Sequence, residues 1–248
     1  MNNILLLRSI QILFLTILFS IQLFPQLDSA KLNNYNIIAD QIRQKALVEK
    51  EGYELLRELC DIGPRLSGSE NSLRAIYWAE EELKSFGVDK IWLQPVMVPH
   101  WERGTTETAE IINSRSKEIK FLNILSLGGS VSTPENGVTA NVIEVKSFTE
   151  LKERQNEVKG KIVFFNRPLD ESLLKTFAGY GGAVDQRFYG AMEASKYGAV
   201  AVLIRSITTK HANVPHTGIM GYVDSLPKIP AAAIGYLDSD YLHNALVD

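Results

Sequence analysis

The sequence predicts an α/β fold, and three observations carry that expectation. Beyond residue 137, apolar strand-like runs alternate with helical ones. Upstream, "SGSENSLRAIYWAEEELKSFG" reads as one capped amphipathic helix. Between the two, "TAEIINSRSKEIKFL" holds two β-prone runs around a polar turn at residues 113–117, the pattern of a hairpin.

The bulk composition agrees. A chain of 248 residues, 45% hydrophobic and 22% charged, has room for one or two globular domains. A net charge of −3, with no block of five or six Lys and Arg, argues against a nucleic-acid partner. At the N-terminus, Arg8 precedes the apolar run "SIQILFLTILFSIQLF" and the small residues of "LDSA". Its apolar core of roughly 15 residues falls short of the about 20 that span a bilayer, so residues 1–30 are expected to be a secretory signal peptide. An uncleaved anchor is the weaker alternative. The cleavage site near Ala30 is poorly defined, because Asp28 is not the small residue preferred there. The location implied is secreted, periplasmic or extracellular, with no stable membrane anchor. Cys60 is the only cysteine, which leaves no intrachain disulfide. With Asp61 beside it and no histidine nearer in sequence than His100, it reads as a small buried hydrophobe rather than a nucleophile.

Taken in order, Ile38, Ile42 and Ala46, then Tyr53, Leu56 and Leu59, follow helical spacing, with Gly52 expected to break the run in two. Gly63 and Pro64 end the second piece. Ser67 with Glu70 forms a potential capping box, Ser69 is the alternative cap, and Gly87 supplies the left-handed residue after the next helix. In "AEEEL", Glu81 and Glu82 point about 100° apart on a helix and read as a solvated face rather than metal ligands. "VDKIWLQPVMVP" predicts an edge strand marked by Pro95. Composition shifts to Gly, Ser, Thr, Pro and Asn over residues 126–137, where a linker and a domain boundary are expected. Beyond it come a strand at 138–145, a helix opened by Ser147 with Glu150, and a strand at 161–165. Then follow a Gly-rich loop, a helix in "FYGAMEASKYG" whose Ala191 and Ala194 permit close packing, buried strands in "AVAVLIRS" and "IPAAAIGY", and a last helix from Asp238.

No motif supplies chemistry. Gly179, Gly181, Gly182 and Gly190 match neither GxGxxG nor a Walker spacing, and the bland reading is a flexible loop. His211 and His216 flank Pro215 without an HExxH context, and both read as loop histidines. His100 beside Trp101 suits packing or a backbone hydrogen bond, and His243 on the final helix is expected to be solvated. There is no GxSxG. Catalytic, cofactor-binding and metal-ligating residues are therefore all left unassigned.

Longer stretches do carry a resemblance. "IGPRLSGSENSLRAIYWAEEELKSFGVDKIWLQPVMVPHWERG", "KGKIVFFN", "GAMEASKYGAVAVLIRS", "PHTGI" and "IPAAAI" occur in the order found in the carboxypeptidase Q-like secreted zinc exopeptidases, of the aminopeptidase and glutamate carboxypeptidase kind. The chain resembles their N-terminal portion, including the protease-associated (PA) domain. The resemblance implies residues 1–30 as signal peptide, 31–128 as the first part of a zinc-peptidase α/β domain, and 129–248 as a small inserted α/β domain, PA-like. It implies two zinc ions in the family, held by His, Asp and Glu with a further Glu as general base, all located after the PA insert. None of those ligands maps onto this sequence, so none of the zinc is expected to be bound by this chain alone. The implied function is the front part of a dizinc exopeptidase acting on dipeptides or terminal residues and inactive by itself, with a missing C-terminal peptidase half as a potential partner. The alternative is a stand-alone PA-type module for protein or peptide interaction.

Overall fold

The computed structural model describes residues 29–104, 106–112 and 119–247. The expected hairpin turn at 113–117 lies outside them, as does the expected signal up to residue 28. Two compact units are resolved, Met1–Arg65 with Glu70–Leu93 and Leu66–Ser69 with Gln94–Asp248. They divide at Leu93 and Gln94, upstream of the compositional shift at 126–137.

The first unit is helical: α1 (Ser29–Glu49), α2 (Glu51–Asp61) and α3 (Glu70–Ser85). The break between α1 and α2 falls at Lys50, whose φ of 50° is left-handed, and Gly52 lies inside α2 instead of interrupting it. A glycine inside a helix costs only about 1 kcal/mol, less than is needed to break one that its neighbours support. α2 ends before Gly63 and Pro64 as expected, and the Arg65 guanidinium donates to the terminal carbonyls of Leu59 at 2.6 Å and Gly63 at 2.8 Å. α3 begins at Glu70, so Ser69, not Ser67, immediately precedes it. It stops at Gly87, whose φ is 67° and whose N–H reaches the Lys84 carbonyl. Lys84 pairs with Glu81 at 2.7 Å and Glu80 at 3.2 Å on the solvated face. The Trp78 indole N–H donates to Glu58 at 3.3 Å, joining α3 to α2. No residue of these three helices is buried. Leu56, Leu73, Ile76 and Tyr77 are exposed, and so is Cys60, against the expectation of a buried thiol, because no described residue covers that face.

Residues 88–99 form no strand, contrary to the expected edge strand. Pro95 and Pro99 remove two ladder donors, and no described strand lies alongside to pair with the rest. Trp92, Val96 and Met97 stand exposed there.

In the second unit, β1 (Ala109–Ile112) and β2 (Ile119–Leu122) make the expected antiparallel hairpin. The main sheet has the order β3-β7-β6-β5-β4, built from β3 (Ile124–Ser126), β4 (Val142–Val145), β5 (Ile162–Phe165), β6 (Ala201–Arg205) and β7 (Ala231–Ile234). β4 to β7 run parallel and β3 antiparallel to β7. The expected linker starts inside this sheet: Leu127 is fully buried and donates to the Ala231 carbonyl at 3.0 Å. Alternation along β5 sends Val163 and Phe165 into one core and Phe164 into another. The first core is shared with α4 (Phe148–Glu153), α5 (Gln155–Val158) and α7 (Val184–Ser195) through Leu151, Val158, Ala191 and Ala194. The second is covered by Leu242 of α8 (Tyr236–Val247) and by Leu122 with Ala109 and Ile111 of the hairpin. A Cβ on Gly190 would stand 3.1 Å from both Ile204 and Phe165, which shows how closely α7 approaches the sheet.

The Gly-rich segment is not the loop expected from its composition. Residues Thr176–Gly181 form α6 and α7 already begins at Val184. Gly179 is buried there, where a Cβ would lie 2.7 Å from the Asp170 carbonyl oxygen.

Candidate functional site

The sheet delivers polar side chains to the C-terminal ends of its parallel strands, the edge where open α/β sheets bind ligands. Glu144 near the end of β4 takes His243 Nδ1 of α8 at 2.7 Å, so His243 is tied to the sheet and not simply solvated as expected. Asn166, just beyond β5, donates to Glu144 at 3.0 Å and accepts from Arg205 at 3.1 Å. Arg205, the last residue of β6, also donates to Asp240 at 2.7 Å and lies 4.2 Å from the Tyr236 ring centroid. This chain of contacts pairs its charges internally, and it reads as a clamp on α8.

The remaining histidines are engaged one at a time. His100 Nδ1 meets the Gly68 carbonyl oxygen at 2.8 Å, the backbone bond expected of it, and its Nε2 lies 3.1 Å from Glu102. His211 contacts Glu171 at 2.8 Å and stacks on Tyr236. His216 Nδ1 meets the Ile207 carbonyl oxygen, while its backbone N–H donates to Ser206 Oγ at 2.7 Å. Among the described residues no three His, Cys, Asp or Glu side chains converge, so the residues present do not fit a zinc ion.

Arg187 differs from Arg167 and Arg205, whose Nε atoms are also buried without a partner, in having no carboxylate paired with it: those two pair with Asp185 and Asp240. Arg187 sits in the first turn of α7 and is 9% exposed. Its Nε is buried without a hydrogen-bond partner, and its guanidinium makes no ion pair among the described residues. The neighbouring acid is already committed, since Asp185 pairs with Arg167. Gln186, fully buried, accepts from the Arg167 N–H at 3.2 Å and donates to its carbonyl at 2.6 Å, which fixes this end of α7. The Tyr180 ring of α6 lies 5.5 Å from the Arg187 guanidinium carbon. Gly218 passes so close that a Cβ there would stand 2.6 Å from the same carbon. Ring, glycine backbone and helix thus hold a planar cation in a low-dielectric setting. Arginine does not discharge itself by losing a proton, and an unpaired buried charge costs several kcal/mol. What the arrangement can do is receive an anion with two parallel N–H donors, the geometry that suits a carboxylate.

Sequence reading missed Arg187, although a signal was present. Arg187, Gly190, Ala191 and Ala194 fall on one helical stripe, and the last three are core residues, so an arginine occupies a core position.

No family model matches the chain. Among curated proteins, carboxypeptidase Q of Xenopus laevis is 43% identical over 216 residues, 86% of this chain and 44% of that protein. Human carboxypeptidase Q is 43% identical over 195 residues, 78% of this chain and 39% of its own length. The crystal structure of a peptidase M28 precursor from Shewanella amazonensis SB2B superposes with a TM-score of 0.75 at 35% identity, covering 84% of this chain and 46% of that one. The chain therefore spans less than half the length of these relatives.

Proposed function

We propose that this chain, a homologue of carboxypeptidase Q over most of its residues, is the part of a metallo-exopeptidase that recognises the free carboxylate of a peptide or dipeptide through Arg187. The single observation that carries this reading is Arg187 itself, a largely buried residue whose Nε is buried without a hydrogen-bond partner and which forms no ion pair among the described residues. An exopeptidase must tell a chain end from a chain interior, and a terminal carboxylate differs from an internal peptide group chiefly in its charge. An arginine held flat by Tyr180 and Gly218 discriminates on that property, because only the charged end repays the cost of burying the cation.

Zinc would supply the activated water in such a peptidase. Its ligands are not provided by the described residues of this chain, so we assign the chain alone no hydrolytic step. A further polypeptide segment carrying those ligands would complete the enzyme, a reading supported by relatives more than twice as long as the stretch they share with it. Among the described residues no helix is long and apolar enough to cross a membrane. The N-terminal apolar run supports export, and N-terminal sequencing of the exported product would locate the cleavage.

Binding and turnover test the reading together. Purified full chain should bind N-acetylated amino acids through their carboxylates, lose that binding in Arg187→Gln, and hydrolyse no dipeptide with or without added zinc. Turnover abolished by a chelator, together with stoichiometric zinc, would overturn it.

A second reading, that residues 129–248 act as a PA-like interaction module, is favoured by the buried cores on the sheet of the second unit, whereas no residue of the three helices of the first unit is buried. If the compact unit from residue 94 onward melts cooperatively in isolation and captures peptides regardless of a free carboxylate, this second reading replaces the first.

A further inference from the structure

We propose that the cavity beside Tyr180 is a side-chain pocket, and that the ligand of the Arg187 site is a peptide whose carboxy-terminal residue is apolar. This rests on the carboxylate reading of Arg187 and specifies its substrate class. The cavity has a volume of about 240 Å³. Its buried wall is made by Leu169 and Ile207, with Phe177 almost fully exposed at the mouth. Thr176, Thr208 and Thr209 complete the lining, and no charged side chain is part of it. The Thr208 hydroxyl is already engaged, accepting from the Lys210 N–H at 3.0 Å.

Tyr180 connects this cavity to the cation. Tyr180 is one of the residues that line the pocket, Arg187 is not, and the Tyr180 ring centroid lies 5.5 Å from the Arg187 guanidinium carbon. On this proposal a ligand gripped by Arg187 at its carboxylate places its own side chain in the apolar cavity, the two being linked through Tyr180. An aliphatic or thioether side chain exchanges water for Leu169, Ile207 and Phe177 there. A glutamate or lysine side chain would lose its hydration and find no partner of opposite charge. Burial of one branched aliphatic side chain is worth on the order of tenfold or more in discrimination.

The test uses the full chain, isotope-labelled, titrated with N-acetyl-leucine, N-acetylglycine, N-acetylglutamate and the neutral N-acetyl-leucinamide. The Nε–H resonance of Arg187 reports the carboxylate, and the amide resonances of Thr208 and Thr209 report the pocket. N-acetyl-leucine is expected to bind about tenfold tighter than the other two acids and to shift both sets of signals, while the amide leaves Arg187 unmoved. Thr208→Trp, which fills the cavity, should erase the preference for leucine and keep binding of N-acetylglycine. If the three acids bind equally, or shift Arg187 without Thr208 and Thr209, the pocket proposal fails and the carboxylate reading stands. If no acid shifts Arg187, the carboxylate reading fails and takes the pocket proposal with it.

Discussion

Asp238 and Asn123 are joined twice: the Asp238 carboxylate accepts the Asn123 backbone N–H at 2.6 Å and its side-chain amide at 2.9 Å. Asn123 separates β2 from β3, and Asp238 lies in the first turn of α8, so the pair pins the helix to the hairpin and the sheet edge. Burial is the largest influence on this carboxyl and opposes its charged form. The bonds from Asn123, the Asn213 side chain and the charge of Lys120 together outweigh it and hold the carboxyl below its ordinary value.

The first prediction follows from that sign. A carboxyl depressed in the folded state contributes its full stability above the ordinary value of 3.8 and loses it as pH falls through the lower folded value. Asp238→Ala should cost about 1–3 kcal/mol at neutral pH, since two hydrogen bonds to a buried charged carboxylate are lost. In denaturant titrations the gap between wild type and variant should narrow below pH 3.8. A gap that widens on acidification would refute the account.

Ser147 caps α4 by accepting the Glu150 N–H at 3.0 Å, and Glu150 reaches back to the Lys146 N–H at 2.7 Å. Ser147→Ala should therefore lower stability by about 1 kcal/mol, with Ser147→Gly costing less. Urea melts of the two variants check the order. Equal melts for wild type and alanine variant would show that the cap is idle.

Gly190 packs against Ile204 and Phe165 with no room for a larger side chain. Gly190→Leu would drive α7 off the sheet and should cost at least about 1–3 kcal/mol. A cooperative melt unchanged from wild type would mean that the helix does not sit as close as the distances indicate.

These cases show which parts of the fold were legible in advance. The Ser147 cap depends on four neighbouring residues, and the small residues at Ala191 and Ala194 face the sheet they were expected to meet. Signals that act over a few positions survive folding. The α1–α2 break at Lys50 was less legible, because nothing in lysine itself prefers a left-handed conformation. Residues 88–99 have strand composition, yet a strand needs a neighbour to pair with, and composition does not say whether one lies alongside. The Gly-rich stretch has the composition of a loop, and what Gly179 accommodates there, the carbonyl of Asp170, is a contact invisible in the local pattern. Arg187 was hardest of all. Arginine on a helix is ordinarily solvated, and its burial here depends on Tyr180 and on Gly218, far along the chain.

Arg187 also supports a prediction that separates stability from binding. If the guanidinium is a cation held ready for an anion, the fold without ligand carries an uncompensated desolvation cost. Removing the charge while keeping the bulk should then relieve that cost: Arg187→Met is expected to be more stable than wild type by about 1 kcal/mol or more in anion-free buffer. The order should close or reverse when N-acetyl-leucine is added, because only wild type gains stability from a ligand that binds the folded state. An arginine kept for structural reasons behaves oppositely, since its methionine variant would melt earlier and respond to the ligand as wild type does. Paired denaturant melts with and without N-acetyl-leucine distinguish the two, and a destabilised variant with unaltered ligand response would remove Arg187 from the site.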